Sequence, residues 1–182
     1  QTGDYDILMK QVPYWKDHVF RRSKDIDKDY VAEHYGTRLL TYDNTVYEGS
    51  ILEHLILQKV CSFFNVGKNN NILLEAADWN DTYDNARTNG ESVCFYNFFA
   101  YNLKTLAQIL SHLSSIGIRE IAMLEETLML FDSLPGQKKI DYADPEAKQS
   151  HLQNYHDKIR HKVSGRKVNV PVEQLIADVT LK

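Results

Sequence analysis

Asp78, Trp79, Asn80 and Asp81 stand side by side within AADWNDTYDNARTNGESVCF, residues 76–95. A polar loop rarely calls for the largest apolar side chain on packing grounds. An indole face stacks on the apolar face of a sugar ring, and its N–H can donate to a hydroxyl. Glu75, Asp78, Asp81, Asp84 and Glu91 crowd acids into the same stretch. Like charges held together raise the pKa of one member, which is how a carboxylic acid keeps its proton near neutral pH. A protonated acid beside an aromatic platform suits the cleavage of a glycosidic bond. The simpler reading is structural: Asp78 or Asp81 caps the helix that follows or closes an Asx turn.

Helical periodicity dominates the chain that must hold this loop. Val46, Ile51, Leu52, Leu55, Ile56, Val60 and Phe63 predict a helix over 44–64 with Asn44 as N-cap. Val93, Tyr96, Phe99, Leu103, Leu106, Leu110 and Leu113 predict a long helix over 91–115, ended by Gly117. Ile118, Ile121, Leu124, Leu128 and Phe131 predict another over 118–134, stopped at Leu134-Pro135-Gly136. Residues 145–163 are more polar, with Pro145 suited to a first turn and a narrow seam of Leu152, Tyr155, Ile159 and Val163. Residues 2–9 read as the end of a helix, Val12-Pro13-Tyr14-Trp15 as extended chain, 27–36 as a short helix closed by Gly36, and the segment from Pro171 as helical. No alternating strand pattern of useful length, solenoid repeat or low-complexity tract is evident. The expectation is an all-α chain of about six helices. Two connections, 21–43 and 65–90, are longer than helix packing requires, and long irregular connections tend to carry function or to be disordered.

The 182 residues, with 43% hydrophobic and 25% charged content, suit one globular domain. A formal charge of -4 gives no electrostatic reason to expect nucleic acid or an anionic membrane surface. No apolar run is long enough for a membrane span, and the start has no signal-peptide pattern. Cys61 and Cys94 lie in apolar helical patterns and read as buried thiols in a reducing cytoplasm. His151, His156 and His161 recur every five residues, so each is turned by roughly 140° from the last on a helix. A metal pair on one helical face needs spacing three or four, so these read as surface histidines. The chain opens QTGDYDILM and closes VTLK, and is expected to be a piece of something longer.

AADWND, then NGESV and a long helix, resembles the signature of the inverting glycoside phosphorylases related to cellobiose and chitobiose phosphorylase. The longer DWNDTYDNARTNGESVCF looks closest to the β-1,3-oligoglucan (laminaridextrin) phosphorylase branch. TGDYDILMKQVPYW and NTVYEGSILEHLILQ resemble the segments that precede the motif in that family, so the likeness runs in order from residue 2 to about residue 115. The resemblance implies an (α/α)6 barrel, of which this chain would be about half: residues 1–134 family-like, with the catalytic loop at 75–92, and residues 135–182 a polar helical extension. It implies Asp81 as general acid, Trp79 against the sugar at the cleavage site, and Asp78 and Asn80 shaping the loop or contacting hydroxyls. Tyr47 and Glu48 match the YE of the upstream helix, although Gly49 stands where the family usually has histidine. Arg87, the basic residue of the loop, and Glu91 complete the candidate substrate-binding set. Glu91 and Ser92 match GESV and are expected chiefly to cap the next helix and fix the loop.

Phosphate attacking the anomeric carbon removes the need for the second carboxylate of an inverting hydrolase. The implied reaction cleaves a β-linked oligoglucan with inorganic phosphate to α-glucose 1-phosphate. The implied partners are the oligosaccharide, phosphate as co-substrate and the remainder of the parent chain, with a homodimer of the full-length protein allowed. No metal, organic cofactor, nucleic acid or membrane is expected. Lys68 and the Arg119–Glu120 pair read as solvated charges, and the family's other phosphate contacts fall outside the matching motifs, so the chain is expected to be silent alone. Two other readings stand beside this one. An inverting hydrolase on the same barrel would use Glu48 or Glu75 as base, and a non-catalytic helical module would use the DWND loop as a cap.

Overall fold

Ser50 and Glu53 form the S-x-x-E pattern of a helix start, and Ser50 Oγ accepts the Glu53 N–H at 3.0 Å. The helix so opened buries Leu52, Ile56, Val60 and Phe64 along one face. The computed structural model describes residues 3–20, 25–74 and 89–182. Among them the helices are α1 (Ala32–Tyr35), α2 (Ile51–Phe64), α3 (Val93–Ser115), α4 (Pro145–Lys158) and α5 (Val172–Leu181), with 3-10 segments at Asp6–Met9 and Glu125–Leu130. The strands are β1 (Gln11–Pro13), β2 (Val19–Phe20), β3 (Asp25–Ile26), β4 (Leu40–Thr41), β5 (Glu48–Ser50), β6 (Ile72–Leu73), β7 (Glu91–Ser92), β8 (Glu120–Leu124), β9 (Lys162–Val163) and β10 (Lys167–Pro171). They pair two by two: β1–β5, β2–β3, β6–β7 and β8–β10 antiparallel, and β4–β9 parallel.

The described residues therefore mix helix with short strand ladders, where periodicity predicts helix alone. The largest difference falls at 118–134. Gly117, at φ 99°, ends α3, and the Ile118 N–H bonds back to Leu113 O at 3.0 Å. Glu120–Leu124 then runs as β8, with Glu120 opposite Pro171 and Leu124 opposite Lys167. Ile121 and Met123 are buried while Glu120 and Ala122 are exposed, a period of two. Ile121, Leu124 and Leu128 also satisfy helical spacing, and a ladder partner far along the chain decides between the two. The helix predicted over 44–64 starts at Ile51, because Asn44 sits at φ 68° in a turn and residues 48–50 pair with β1.

One core joins Leu52, Ile56 and Val60 of α2, Leu106 and Leu110 of α3, Leu152 of α4 and Leu175 of α5. The most extensive helix–helix packing is between α3 and α5. α3 buries Leu103, Leu106, Leu110 and Leu113, but its start leaves Val93, Tyr96, Phe98 and Tyr101 exposed. Cys94 is exposed there too, contrary to its apolar setting in the sequence, whereas burial pushes the Cys61 thiol up to about 12. No helix among the described residues is long and apolar enough to cross a membrane.

Two lysines enter the interior. The Lys182 ammonium is buried between Asp132 Oδ1, at 2.8 Å, and Asp178 Oδ1, and donates to Tyr142 Oη at 3.1 Å. Ser133 donates to Asp178 from both its N–H and its hydroxyl, and the Ile140 N–H and Tyr142 hydroxyl donate to Asp132. Lys148 lies 4.0 Å from the centre of the Phe63 ring and donates to Asn70 Oδ1 at 3.0 Å. Burial lowers its pKa to about 8. A buried ammonium with a lowered pKa opposes folding at neutral pH, and the opposition fades as pH rises through the folded pKa towards the unfolded one. Wild type is thus expected to gain stability relative to Lys148→Met between pH 7 and 10. Urea midpoints of both proteins at several pH values check this, and a gap independent of pH refutes it.

Candidate functional site

The segment singled out for chemistry leaves the described chain at Leu74 and rejoins it at Asn89. Asp78, Trp79, Asn80, Asp81 and Arg87 lie outside the described residues, as do Glu75 and Asp84. The stem on which they stand is described. Ile72 pairs with Ser92 and Leu73 with Glu91, and the Leu74 N–H donates to Gly90 O at 2.8 Å. These contacts hold the two ends of the loop side by side.

Glu91 fastens the stem to the turn before it. Its carboxylate accepts the Asn69 N–H and the Asn71 N–H, both at 3.0 Å, and the Asn69 side-chain amide at 3.1 Å. Asn70, at φ 61°, turns the two flanking N–H groups inward, making a small anion-binding concavity of backbone. A β-carbon at Gly67 would collide with the Glu91 side chain, so any larger residue there must displace the Glu91 carboxylate from its present place. Burial alone would push the Glu91 carboxyl up, but the hydrogen bonds from Asn69 and Asn71 outweigh it and hold the pKa below the usual Glu range. That stabilisation is present above the ordinary Glu pKa and is lost as pH falls through the lowered folded one. Hydrogen bonds to a charged group are worth roughly 1.5–3 kcal/mol. Glu91→Gln is therefore expected to speed amide exchange at Asn69 and Asn71 by about tenfold or more; unchanged protection would refute the clamp. Next in sequence, Ser92 Oγ accepts the Phe95 N–H at 3.1 Å and caps α3.

At the foot of the stem lies an open cleft of about 810 Å³. Gly67, Lys68, Asn69, Asn89 and Glu91 line one side, and Glu146 and Gln149 of α4 the other. Amides and carboxylates of this kind can meet the donors and acceptors of a polyol. The sequence assigns α4 no role, and only the polarity of that helix could have hinted that it borders the stem.

Tyr47 and Glu48 are not brought together with the stem in any described contact. Tyr47 is buried, 3% exposed, and its hydroxyl donates to the Glu53 carboxylate at 3.1 Å. Glu48 is exposed on β5, opposite Pro13. Glu53 is itself fully buried and also receives the Tyr14 hydroxyl at 2.9 Å. Burial raises its pKa despite these two hydrogen bonds, and the buried hydroxyls of Tyr14 and Tyr47 are pushed up by burial and then by its charge. Gly49 belongs to this cluster, for a β-carbon there would stand 2.8 Å from both Glu53 Oε1 and Tyr14 Cε2. His54 stacks on Tyr14 with ring centres 3.6 Å apart. Sequence reasoning missed Glu53, although the S-x-x-E spacing at Ser50 was the available signal.

Asp27, Asp29 and His161 offer donor atoms within 4.8 Å of one another. Arg160 already occupies that cluster, 3.0 Å from Asp27 Oδ1 and 3.7 Å from Asp29 Oδ2, with His161 Nδ1 3.2 Å from Asp27 Oδ2. The arrangement is an ion-pair lock between the chain near β3 and the end of α4. His151 instead packs against Phe64, with ring centres 4.8 Å apart.

No protein-family model matches the chain, and no curated protein matches it. Functional assignment therefore rests on the residues and their arrangement.

Proposed function

We propose that this chain carries the general-acid loop of an inverting glycoside phosphorylase acting on β-linked oligoglucans. On this reading α2–α5 belong to about half of an (α/α)6 barrel whose remaining helices come from the rest of a parent polypeptide. Asp81 protonates the departing glycosidic oxygen while inorganic phosphate attacks the anomeric carbon from the opposite face, giving α-glucose 1-phosphate. Trp79 supports the sugar at the cleavage site; Asp78, Asn80 and Arg87 surround it. Holding phosphate and sugar in line supplies a large share of the rate.

The observation that carries the reading is DWND followed by GESV, in that order, across one loop. Two structural details support it. The loop bearing the acid would need a rigid base, and the β6–β7 ladder with the Glu91 clamp is one. The cleft beside that base, of mixed polar and apolar lining, is open and large enough for a ligand of several rings, by comparison with pockets of roughly 300–1,000 Å³. The test is release of phosphate from α-glucose 1-phosphate by the longest natural polypeptide containing this chain, with glucose or laminaribiose as acceptor. Phosphate release in step with oligosaccharide growth supports the proposal. Hydrolysis of laminari-oligosaccharides that proceeds equally without phosphate overturns it in favour of a hydrolase.

A further inference from the structure

Trp15 is 73% exposed, yet it is held in place. Its indole N–H donates to Asp17 Oδ2 at 3.2 Å. Its backbone bridges Arg38, and on either side Leu39 N–H donates to Tyr14 O and Lys16 N–H to Thr37 O, both at 3.0 Å. The indole borders a recess of about 180 Å³ with Leu39 and Ile159 as apolar lining and Lys16, Asp17 and His156 as polar lining. Behind it, Tyr14 is fixed by its stack on His54 and its bond to Glu53. The Lys16 ammonium is tied to Arg160 O, so the α4 side of the recess is joined to the Trp15 side.

The packing of the fold makes no use of most of this indole. Its polar atom is satisfied by a side chain two residues away, and its faces are left largely to water. A braced aromatic platform beside a small recess of mixed lining matches the two-sided chemistry of a pyranose: C–H bonds on one face, hydroxyls at the edge. The volume is below the roughly 300 Å³ at which pockets for drug-sized ligands begin, which limits the recess to a single ring. The geometry points to a monosaccharide-sized subsite at Trp15, built from β1's continuation and the end of α4, that binds one glucosyl unit of an oligosaccharide. The choice of glucose rests on the phosphorylase reading; the recess and the exposed indole do not.

The chain contains two tryptophans, so in Trp79→Phe all indole emission comes from Trp15. Laminaritriose titrated into this variant is expected to quench or shift that emission saturably. In calorimetry on the Trp79→Phe background, a further Trp15→Ala should weaken laminaritriose binding at least tenfold, whereas Trp15→Phe, which keeps a flat face, should weaken it less. Emission that does not respond to laminaritriose, or affinity that Trp15→Ala leaves unchanged, overturns the subsite. Emission that shifts with protein concentration and not with sugar also overturns it, since a second copy then covers the indole. A saturable Trp15 response in this chain, beside a parent polypeptide without phosphate-dependent activity, leaves the subsite standing and removes the phosphorylase reading. The converse removes the subsite alone.

Discussion

Asp81→Asn in the longest natural polypeptide containing this chain is expected to cut phosphate release from α-glucose 1-phosphate by about 10²–10⁴-fold, the usual worth of a positioned proton donor. Asparagine keeps the size and hydrogen-bonding reach of the carboxyl but has no acidic proton. The loss should therefore fall on kcat far more than on KM. The cleavage direction offers a sharper version. An aryl β-glucoside with an acidic phenol leaves without protonation, so phosphorolysis of that substrate should lose much less than phosphorolysis of laminaribiose. Equal losses on both substrates would mean that Asp81 shapes the site without delivering a proton. A variant with the wild-type rate on both would end the proposal for this residue.

Lys182→Met carries the largest expected effect on stability. The ammonium sits between Asp132 and Asp178, and its removal leaves two buried carboxylates facing each other. Breaking a buried charge network by deleting one partner costs about 3–5 kcal/mol, which for a chain of this length lowers Tm by roughly 6–20 °C. Burial alone would raise the Asp132 carboxyl, but bonds from Lys182 and Tyr142 outweigh it and hold the pKa below the usual Asp range. The stabilisation from that shift is present above the unfolded Asp pKa and is lost as pH falls through the folded one. In the variant the two carboxyls repel, so acid relieves them. Repulsion and burial raise the pKa of one of the two carboxyls in the variant, so the deficit against wild type should be greatest near neutrality and begin to shrink above the ordinary Asp pKa as acid is added. Thermal melts of both proteins across that range decide the matter, and a constant or widening gap on acidification would contradict it.

The long helices were legible because their apolar residues recur at one spacing along one face: Leu103, Leu106, Leu110 and Leu113 in α3, and Leu152 with Tyr155 in α4. Their caps were legible only in part. Asn44 has the residue type of a helix start but sits in a turn, while Ser50 and Glu53, the stronger pattern, open the helix. The strands were hidden because each is short and takes its partner from a distant segment. β8 meets β10 across more than forty residues, and nothing in IAML alone names VNV as its neighbour. The candidate loop announced itself by composition, Trp79 among acids. The buried job of Tyr47 did not, because a tyrosine beside an acid reads the same on a surface as in a core.

The ladder at Ile72–Leu73 and Glu91–Ser92 makes the intervening chain behave as a cassette. Its two attachment points are fixed by the ladder and by the bonds of Glu91 to Asn69 and Asn71. Each doubling of such a span costs only about 0.6 kcal/mol in closure entropy. A change of length in that span therefore costs little at the ladder itself. Grafting a loop of another length between Leu74 and Asn89 is accordingly expected to leave the β6–β7 ladder in place.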